Sequence, residues 1–576
     1  MTLSTLVPLL AATPFVSTLL PLTVALLPPI RQVGQRIVAF GRGPITPVTT
    51  DAFEKDLYRL LQEIGRLIMQ WTLNHLEADD PSQAPAEVGF DGSIYRRRSP
   101  SPRRGGIATL FGLIALWRLR YEPCDAGIGL SCVFPLEQRL GIVAGKATPA
   151  LAGRVGAWTA QHTQATVQAL LADEHGVAWS VTTLRQVAVE LSSGVRPLTQ
   201  PAQVAYLLEL LGKAHASSGP HRPVLAAGRD GIFVPMRNDT KYREAATATV
   251  AVLDRRGQRL GTVYLGHMPE AGQASLSQQL TDLLRAVLNG WHGPLPRLQY
   301  TTDGGHHPTE YFGSVLASMR HPRTGEKLAW EWVLDYYHAC QYLTKMAEAL
   351  FGTGTQAAAA WAAKMRRWLR DKRHGVFRVL HSAAAHFCRW ELTAAEQQAY
   401  EQAYQYLRTR MALMDYCDYR RRGLAIGSGI TEAACKTLFT QRFKQSGMKW
   451  SLDGGQVVVD LRVVWLSGLW RQVYATYLAH LPQAKSRTKH AIDANCTNSR
   501  RNSWYGATPP FGTDGRGAQR AASHRAVARG RQGRSGSGAL RGAWLGGLAP
   551  PHDAVPVGVV VLDCGEAPVG GGKSRR

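Results

Sequence analysis

The chain has 576 residues, of which 45% are apolar, so it is long enough for two or more packed domains and is not disordered throughout. Lysine and arginine exceed aspartate and glutamate by 67 − 42 = 25, which favours a polyanionic partner such as nucleic acid over a merely soluble basic protein. The eight cysteines contain no C-x-x-C pair, which disfavours a disulfide framework and a zinc ribbon and suits a reducing cytosol.

The segment 1–48 begins with thirty residues that carry no charged side chain. A membrane span, a signal sequence or a translation start assigned too early would each give such a segment, and we leave it unassigned. We favour no membrane, because no basic region precedes the apolar run and because prolines are expected to interrupt any helix. These prolines are Pro8, Pro14, Pro21, Pro28 and Pro29.

Residues 49–215 are predicted to form a mainly helical region that binds DNA. Apolar residues at helical spacing across 53–71 indicate an amphipathic helix. The following YRRRSPSPRRGG (95–106) is predicted to be a flexible basic loop, either touching DNA or solvated.

A helix-turn-helix is predicted at about 166–191. Two apolar-periodic helices flank a turn at Gly176, and Ser180 is a suitable N-cap for the second helix. That helix would project Thr182, Arg185 and Gln186 toward a DNA groove. The alternative is a helical hairpin that binds nothing.

A change of pattern near Pro223 predicts an α/β domain. Three strands are expected first, then the helix 275–291, then two strands separated by the helical stretch 311–320. The expected strands are 224–236, 246–254, 259–268, 296–304 and 330–338. This order is that of a ribonuclease-H-like domain.

The catalytic domain is expected in two parts, 222–340 and 426–483, separated by an all-α insertion over the Ala-rich residues 341–425. From residue 484 to 576 the sequence is rich in glycine and arginine, with fifteen basic residues against five acidic ones. We predict a disordered basic tail there.

Four acidic residues fall where this arrangement places metal-binding carboxylates. Asp230 lies in the first strand, Asp303 closes the fourth, and Glu432 lies in the first turn of a later helix, while Asp335 ends the fifth strand. The topology selects Asp303 rather than Asp335 as the second metal ligand. Taken singly, each of the first three also has an ordinary explanation, in a turn or at a helix N-terminus.

Five motifs in this order resemble a DDE transposase with a C/D-x-x-H signature, and more narrowly the ISKra-type bacterial insertion-sequence transposases. They are DGIFVPM, TTDGG, LDYYHA, IGSGITEAACK and RFKQSGMKW, and the resemblance covers roughly residues 50–480.

The resemblance implies two Mg²⁺ ions, with Mn²⁺ as a substitute, bound by Asp230, Asp303 and Glu432. It places Asp335 in the signature, with His338 near the scissile phosphate. Water would release a 3′-hydroxyl at the end of the element, and that hydroxyl would attack target DNA. The implied partners are double-stranded DNA, both terminal inverted repeats and target, and further copies of the chain, in the bacterial cytoplasm at the nucleoid.

Six residues are predicted to contact DNA. Lys436 follows Glu432 by one helical turn, and a basic run continues after it. Trp450 either stacks on an exposed base or, as we favour, belongs to the core. The six are Arg185, Lys436, Arg442, Lys444, Lys449 and Trp450.

Two other functions are considered. A transposase-derived protein that binds DNA without chemistry would keep the same fold. A zinc hydrolase using His306, His307, Asp335 and His338 is disfavoured, because two adjacent histidines point to opposite sides of an extended chain.

Overall fold

The computed structural model describes residues 14–78, 80–98, 103–124, 131–389, 391–445, 447–481 and 485–486. All of them belong to one compact unit, Met1–Arg501, and the second unit, Asn502–Arg576, lies outside the described residues. The predicted disordered tail therefore also lies outside them, apart from Lys485 and Ser486.

The chain begins with a pair of long helices, α1 (Pro14–Arg42) and α2 (Pro47–Asn74). The expectation that prolines interrupt the first helix was wrong, because α1 continues through Pro21, Pro28 and Pro29. The fixed φ of proline is compatible with a helix, although an interior proline removes one backbone hydrogen bond and crowds the preceding turn. Packing of α1 along α2 through Phe40 and Phe53, whose ring centroids are 4.5 Å apart, helps to offset that cost. No helix among the described residues is long and apolar enough to cross a membrane.

Short strands follow where a flexible loop was predicted over 95–106. Residues 99–102 lie outside the described residues, and the prediction was wrong on both sides of them. The strands are β1 (Glu87–Phe90), β2 (Ser93–Arg97), β3 (Arg103–Thr109), β4 (Gly112–Arg118) and β5 (Tyr121–Pro123). In β2, Tyr95 is buried while Arg96 points to solvent, as expected for neighbouring residues of a strand. Lys485–Ser486, strand β11, pairs antiparallel with β1.

Four helices lead to the central sheet. They are α3 (Pro135–Leu140), α4 (Pro149–Gln161), α5 (Gln164–His175) and α6 (Val181–Ala216). Two local predictions are confirmed: α5 ends at Gly176 in the left-handed conformation, and the Ser180 hydroxyl accepts a hydrogen bond from the Thr183 N–H at the start of α6. However, α6 runs for 36 residues, through Pro197 and Pro201, and its second half packs under the sheet.

The fold is mixed α/β, built on a five-stranded mixed sheet with strand order β10-β9-β6-β7-β8. Strands β6, β7 and β8 pair antiparallel, whereas β9 pairs in parallel with both β6 and β10. The first four predicted strands and the helix after the third are therefore confirmed. The fifth strand is confirmed only for residues 330–334, because Asp335 is the N-cap of a helix that begins at Tyr336. The elements are β6 (Val224–Pro235), β7 (Tyr242–Leu253), β8 (Arg259–His267), α7 (Ala274–Gly290), β9 (Arg297–Thr302), α8 (His306–Ser314) and β10 (Trp330–Leu334).

Helices occupy the rest of the described chain. Five follow β10: α9 (Tyr336–Phe351), α10 (Gln356–Asp371), α11 (Gly375–Phe387), α12 (Ala394–Thr409) and α13 (Tyr416–Arg421). The chain then returns through α14 (Gly429–Cys435), a π-helical turn (Lys436–Thr440), α15 (Gln441–Phe443), α16 (Leu452–Leu466) and α17 (Trp470–Ala479).

Three large hydrophobic clusters hold these elements together. One joins α4, α5 and the first half of α6 to the π-helical turn and α15–α17. The second unites helices α9–α13 with β10, and the third packs the second half of α6 and α7 on the sheet. Because α6 contributes to two clusters, it links the helix-turn-helix directly to the sheet.

Candidate active site

Three of the predicted acidic residues meet at one edge of the sheet. Strands β6 and β9 pair in parallel up to Gly228 and Thr301, and Asp230 and Asp303 each follow two residues later. The last pair between β9 and β10 joins Thr302 to Leu334, so Asp335 follows β10 just as Asp303 follows β9. Carboxyl ends of neighbouring parallel strands share an edge, which is where ligands commonly bind in such sheets.

Asp230 has the most perturbed environment of these acids. The thiol of Cys435 donates to its Oδ2 at 3.3 Å, and the Gly231 N–H donates to its Oδ1 at 2.8 Å. Burial and the carboxylate of Asp303 raise the pKa of Asp230 to about 6; Glu432 acts in the same direction, and the two hydrogen bonds oppose it. Burial and neighbouring carboxylates disfavour the negative charge of Asp230, and a bound cation would stabilise that charge.

Arg229 points to the opposite face of β6, as predicted from strand alternation. Its guanidinium is buried, bonds to Ser277 Oγ at 2.8 Å and to Gln273 Oε1 at 3.0 Å, and lies over the ring of Tyr311. Arg229 therefore anchors α7 and α8 to the sheet and does not neutralise Asp230.

The loop after β9 is held by residues of α12. The Tyr406 hydroxyl donates to the backbone carbonyl of Asp303 at 2.8 Å, and Arg410 donates to the Gly304 carbonyl at 3.3 Å while lying over the Tyr406 ring. Gly304 has φ +78°, where any other residue would be strained. The helices that follow β10 thus fix the backbone that carries Asp303.

Asp335 serves a different purpose from the other two aspartates. It is 4% exposed, and its Oδ1 accepts hydrogen bonds from the Tyr337 and His338 N–H groups at the start of α9. Its Oδ2 accepts from the Ser428 N–H at 2.7 Å and from the Ser428 hydroxyl. With both oxygens engaged, Asp335 joins the end of β10 to the loop that precedes α14.

Close packing against β6 positions α14, which carries Glu432. A Cβ on Gly228 would overlap the hydroxyl of Thr431, which also hydrogen-bonds Thr249 at 2.8 Å. Glu432 itself is exposed and pairs with Lys436 at 2.8 Å. The predicted DNA-contacting Lys436 is thus an ion-pair partner of the predicted metal ligand in this structure.

His338 lies among aromatic side chains next to this edge. Its ring centroid is 5.4 Å from that of Tyr342 and 5.8 Å from that of Tyr406, the residue that holds Asp303. The aromatic packing places the imidazole beside Tyr406, whose hydroxyl holds the loop of Asp303.

The predicted DNA-binding residues fall into three places. A cavity of about 420 Å³ brings together Arg185, Arg442, Lys449 and Trp450, although Arg185 is distant from the others in sequence. Lys444 is exposed and lines a neighbouring recess outside that cavity, and Lys436 lies with Glu432. Trp450 is half-buried and packs on Phe443, with ring centroids 4.4 Å apart, in agreement with the favoured core role.

The donor chemistry of this edge suits a hard cation, because aspartate and glutamate supply the oxygen ligands that Mg²⁺ prefers. Among the described residues, the one group of three ligand atoms within 4.8 Å of one another is His306, His307 and Glu310, so Glu432 and the two aspartates are more widely spaced. The two histidines open helix α8, so the argument that they lie in an extended segment was wrong. Asp335 and His338 are not part of their group.

A scan against protein-family models finds no match, and a search of the curated proteins finds no significant similarity. Function therefore rests on the motifs and on this geometry.

Sequence reasoning missed four residues that support the site: Cys435, Ser428, Tyr406 and Arg410. The signal for Cys435 was available, since it lies on α14 three residues after Glu432 and hence on the same helix face. Tyr406 and Arg410 approach the sheet only through folding of helices distant in sequence, which no local pattern indicates.

Proposed function

We propose that this protein is a DDE transposase that binds the ends of a mobile DNA element, cuts a strand there and joins it to target DNA. The single observation that carries the proposal is that Asp230, within β6, and Asp303, directly after β9, each lie two residues beyond the last pair of these parallel strands, with the helix of Glu432 packed against β6. The strand order β10-β9-β6-β7-β8, with antiparallel β6–β8 and parallel β9 and β10, supports a ribonuclease-H-like domain interrupted by the helices after β10.

In this proposal the three acids would hold Mg²⁺, or Mn²⁺ in its place, which supplies Lewis-acid activation of the attacking and leaving oxygens when bound. Asp230 and Asp303 are presented from rigid strands, so their spacing is fixed before substrate arrives. Glu432 reaches the site by exchanging its pairing with Lys436, and the released ammonium becomes free to meet a DNA phosphate. His338 donates a hydrogen bond to a phosphate oxygen at the scissile position.

Asp335 is a positioning residue in this scheme. Its carboxylate ties α9 to the loop before α14, so it sets where Glu432 lies without touching substrate. We expect the active form to contain more than one copy of the chain, since two element ends must be brought together.

The proposal is tested by cleavage of a labelled element-end duplex in Mg²⁺ or Mn²⁺. We expect Asp303→Asn to abolish nicking, about a thousandfold or more, because it removes a charged ligand from the reacting centre. Asp335→Asn should retain measurable activity, because the amide oxygen still accepts from the start of α9 while only the bond to the Ser428 N–H is lost. Asp453→Asn, an exposed acid in the first turn of α16, is the matched control and should cut normally.

An inactive Asp335→Asn beside a normal Asp303→Asn would reverse the two assignments and overturn the proposed site. A wild-type protein that binds the duplex but never cuts it would favour the second candidate, a transposase-derived DNA-binding protein. The ion pair of Glu432 with Lys436 is the observation that favours this candidate, since it occupies the third carboxylate.

A further inference from the structure

A cavity separate from the acidic edge lies between the helix-turn-helix and the loop after α15. Its volume is about 420 Å³, within the roughly 300–1,000 Å³ range of small-molecule sites. The first turns of α5 and α6 form one wall, and residues 447–451 form the other. The polar and aromatic side chains that the argument uses are Gln164, Arg185, Arg237, Arg442, Lys449 and Trp450.

Arg442 is the most unusual group in this cavity. It is 1% exposed, and among the described residues no acceptor lies within hydrogen-bonding distance of its Nε or Nη1. Its guanidinium lies over the ring of Trp450, with Cζ 5.1 Å from the centroid. Buried guanidinium nitrogens without an acceptor are costly and uncommon, and a bound anion is one explanation for them.

The charge of the cavity is unbalanced. Four of its lining residues are cations, namely Arg185, Arg237, Arg442 and Lys449, and none is aspartate or glutamate. Burial and the nearby charge of Arg462 lower the pKa of Arg442 to about 10, so the guanidinium remains charged at neutral pH. An anion is the ligand that such a cavity stabilises best.

The wall of the cavity that carries Lys449 is hydrogen-bonded to the end of β6 and the residues directly after it. The Trp450 N–H donates to the Pro235 carbonyl at 3.1 Å, and the Arg237 N–H donates to the Trp450 carbonyl at 2.7 Å. The Trp450 indole N–H donates to the Phe443 carbonyl at 3.1 Å. The cations are therefore presented on a fixed frame, which lowers the entropic cost of binding.

We propose that this cavity binds the phosphate group of an unpaired nucleotide, at the end of a DNA strand or in a single-stranded overhang. The phosphates of a duplex are fixed on the outside of a stiff rod, so they cannot enter the cavity that Arg442 lines. A single flexible nucleotide can enter, with its phosphate on Arg442 and its sugar and base along Val189, Met448 and Trp450. The inference rests on the proposed DNA binding but not on strand cleavage.

The test measures DNA binding by fluorescence anisotropy in EDTA, where no cleavage occurs. One probe is a blunt duplex, and the other carries a five-nucleotide single-stranded overhang. We expect the wild type to prefer the overhang by about tenfold, the size of one charge-assisted contact. Arg185→Ala and Arg442→Gln should reduce that preference below threefold, whereas Lys444→Ala, which lies outside the cavity, should weaken both probes equally.

Arg442 is buried, so the Arg442→Gln variant could be unfolded, and its thermal unfolding is measured first. Arg185 is exposed, so Arg185→Ala gives the same test without the risk of unfolding. A preference that survives in both cavity variants, or is absent from the wild type, overturns the inference. Inorganic phosphate that raises the melting temperature of the wild type but not of Arg442→Gln, without any overhang preference, would assign the cavity to a free anion and overturn it too. If the wild type does not bind the blunt duplex at all, the result would instead contradict the proposed function.

Discussion

The neighbours of Asp230 have opposite effects on the charge of its carboxylate. The strand and α14 bury it, and Asp303 and Glu432 disfavour its charge, while the Cys435 thiol and the Gly231 N–H stabilise that charge. Such a balance is common at functional sites, where a group is kept ready for a ligand at some expense of stability. In the metal-free protein, the ionised Asp230, which we assign to metal binding, should therefore lower the free energy of unfolding relative to an uncharged residue at this position.

This conclusion predicts a pH-dependent effect of Asp230→Asn. The pKa of Asp230 is raised from 3.8 to about 6 on folding, so below pH 4 both states are protonated and the substitution changes little. As pH rises from about 4 to 6, the wild type loses stability, because the folded carboxyl must give up a proton at a pH where the unfolded one already has. At pH 8 Asp230→Asn should raise the free energy of unfolding by about 2 kcal/mol, allowing for partial exposure.

Denaturant unfolding in EDTA at pH 4.5 and pH 8 measures this difference. Added Mg²⁺ should stabilise the wild type at pH 8 and leave Asp230→Asn unchanged. An equal loss of stability at both pH values would mean that the carboxylate is an ordinary structural acceptor.

At the scale of elements, the position of α14 depends on the absence of a side chain at Gly228. An alanine Cβ there would overlap Thr431 Oγ1 and approach the Thr301 carbonyl to 3.2 Å. The Thr431 side chain on one side and the Thr301 backbone carbonyl on the other leave little room, so we expect the helix to move away from β6 and take Glu432 with it.

We predict that Gly228→Ala lowers the free energy of unfolding by about 1–3 kcal/mol, the usual cost of overpacking, and reduces cleavage at least tenfold. Gly429→Ala is the matched control, because a Cβ at that position of the same helix meets nothing within 4 Å. The double variant Gly228→Ala/Thr431→Ala removes the clashing hydroxyl and should recover part of the activity. Full activity in Gly228→Ala would show that α14 need not lie close to the strand.

Periodicity accounts for which elements the sequence could predict. The strands β6–β10 alternate or are continuously apolar, and the acids at their ends could be placed by strand order alone. The strands β2 and β3 were missed because arginines dominate the local composition. Helix α1 was missed because proline was treated as a helix breaker, although tertiary pairing with α2 supports the helix. The roles of Asp335 with Ser428 and of Asp303 with Tyr406 depend on contacts between distant segments.

At the scale of the whole molecule, helix α6 reaches both the cationic cavity and the central sheet. Its first turns carry Arg185 at the cationic cavity, and its second half lies in the hydrophobic cluster under the sheet. If DNA binds at the cavity, as we propose, this stiff helix would align it with the sheet. The net charge of +25 would then supply a long-range attraction for the DNA.

The same charge predicts strongly salt-dependent DNA binding. Arg185, Arg237, Lys444 and Lys449 lie around the cavity and its neighbouring recess, and further basic residues lie in the sequence after residue 484. If at least five or six phosphates are contacted, the logarithm of the binding constant should fall against the logarithm of salt concentration with a slope of about −5. Affinity for a blunt duplex should then drop about a thousandfold between 50 and 200 mM salt.

Lys444→Ala should make that slope shallower by about 0.9, the contribution of one phosphate contact, and should do so for any duplex sequence. Lys213→Ala is the matched control, since this exposed lysine at the far end of α6 pairs with Glu209 and should leave the slope unchanged. Anisotropy titrations at four salt concentrations give the slopes directly. A slope shallower than about −2 for the wild type would mean that few phosphates are contacted, and the basic surface would then serve some purpose other than DNA binding.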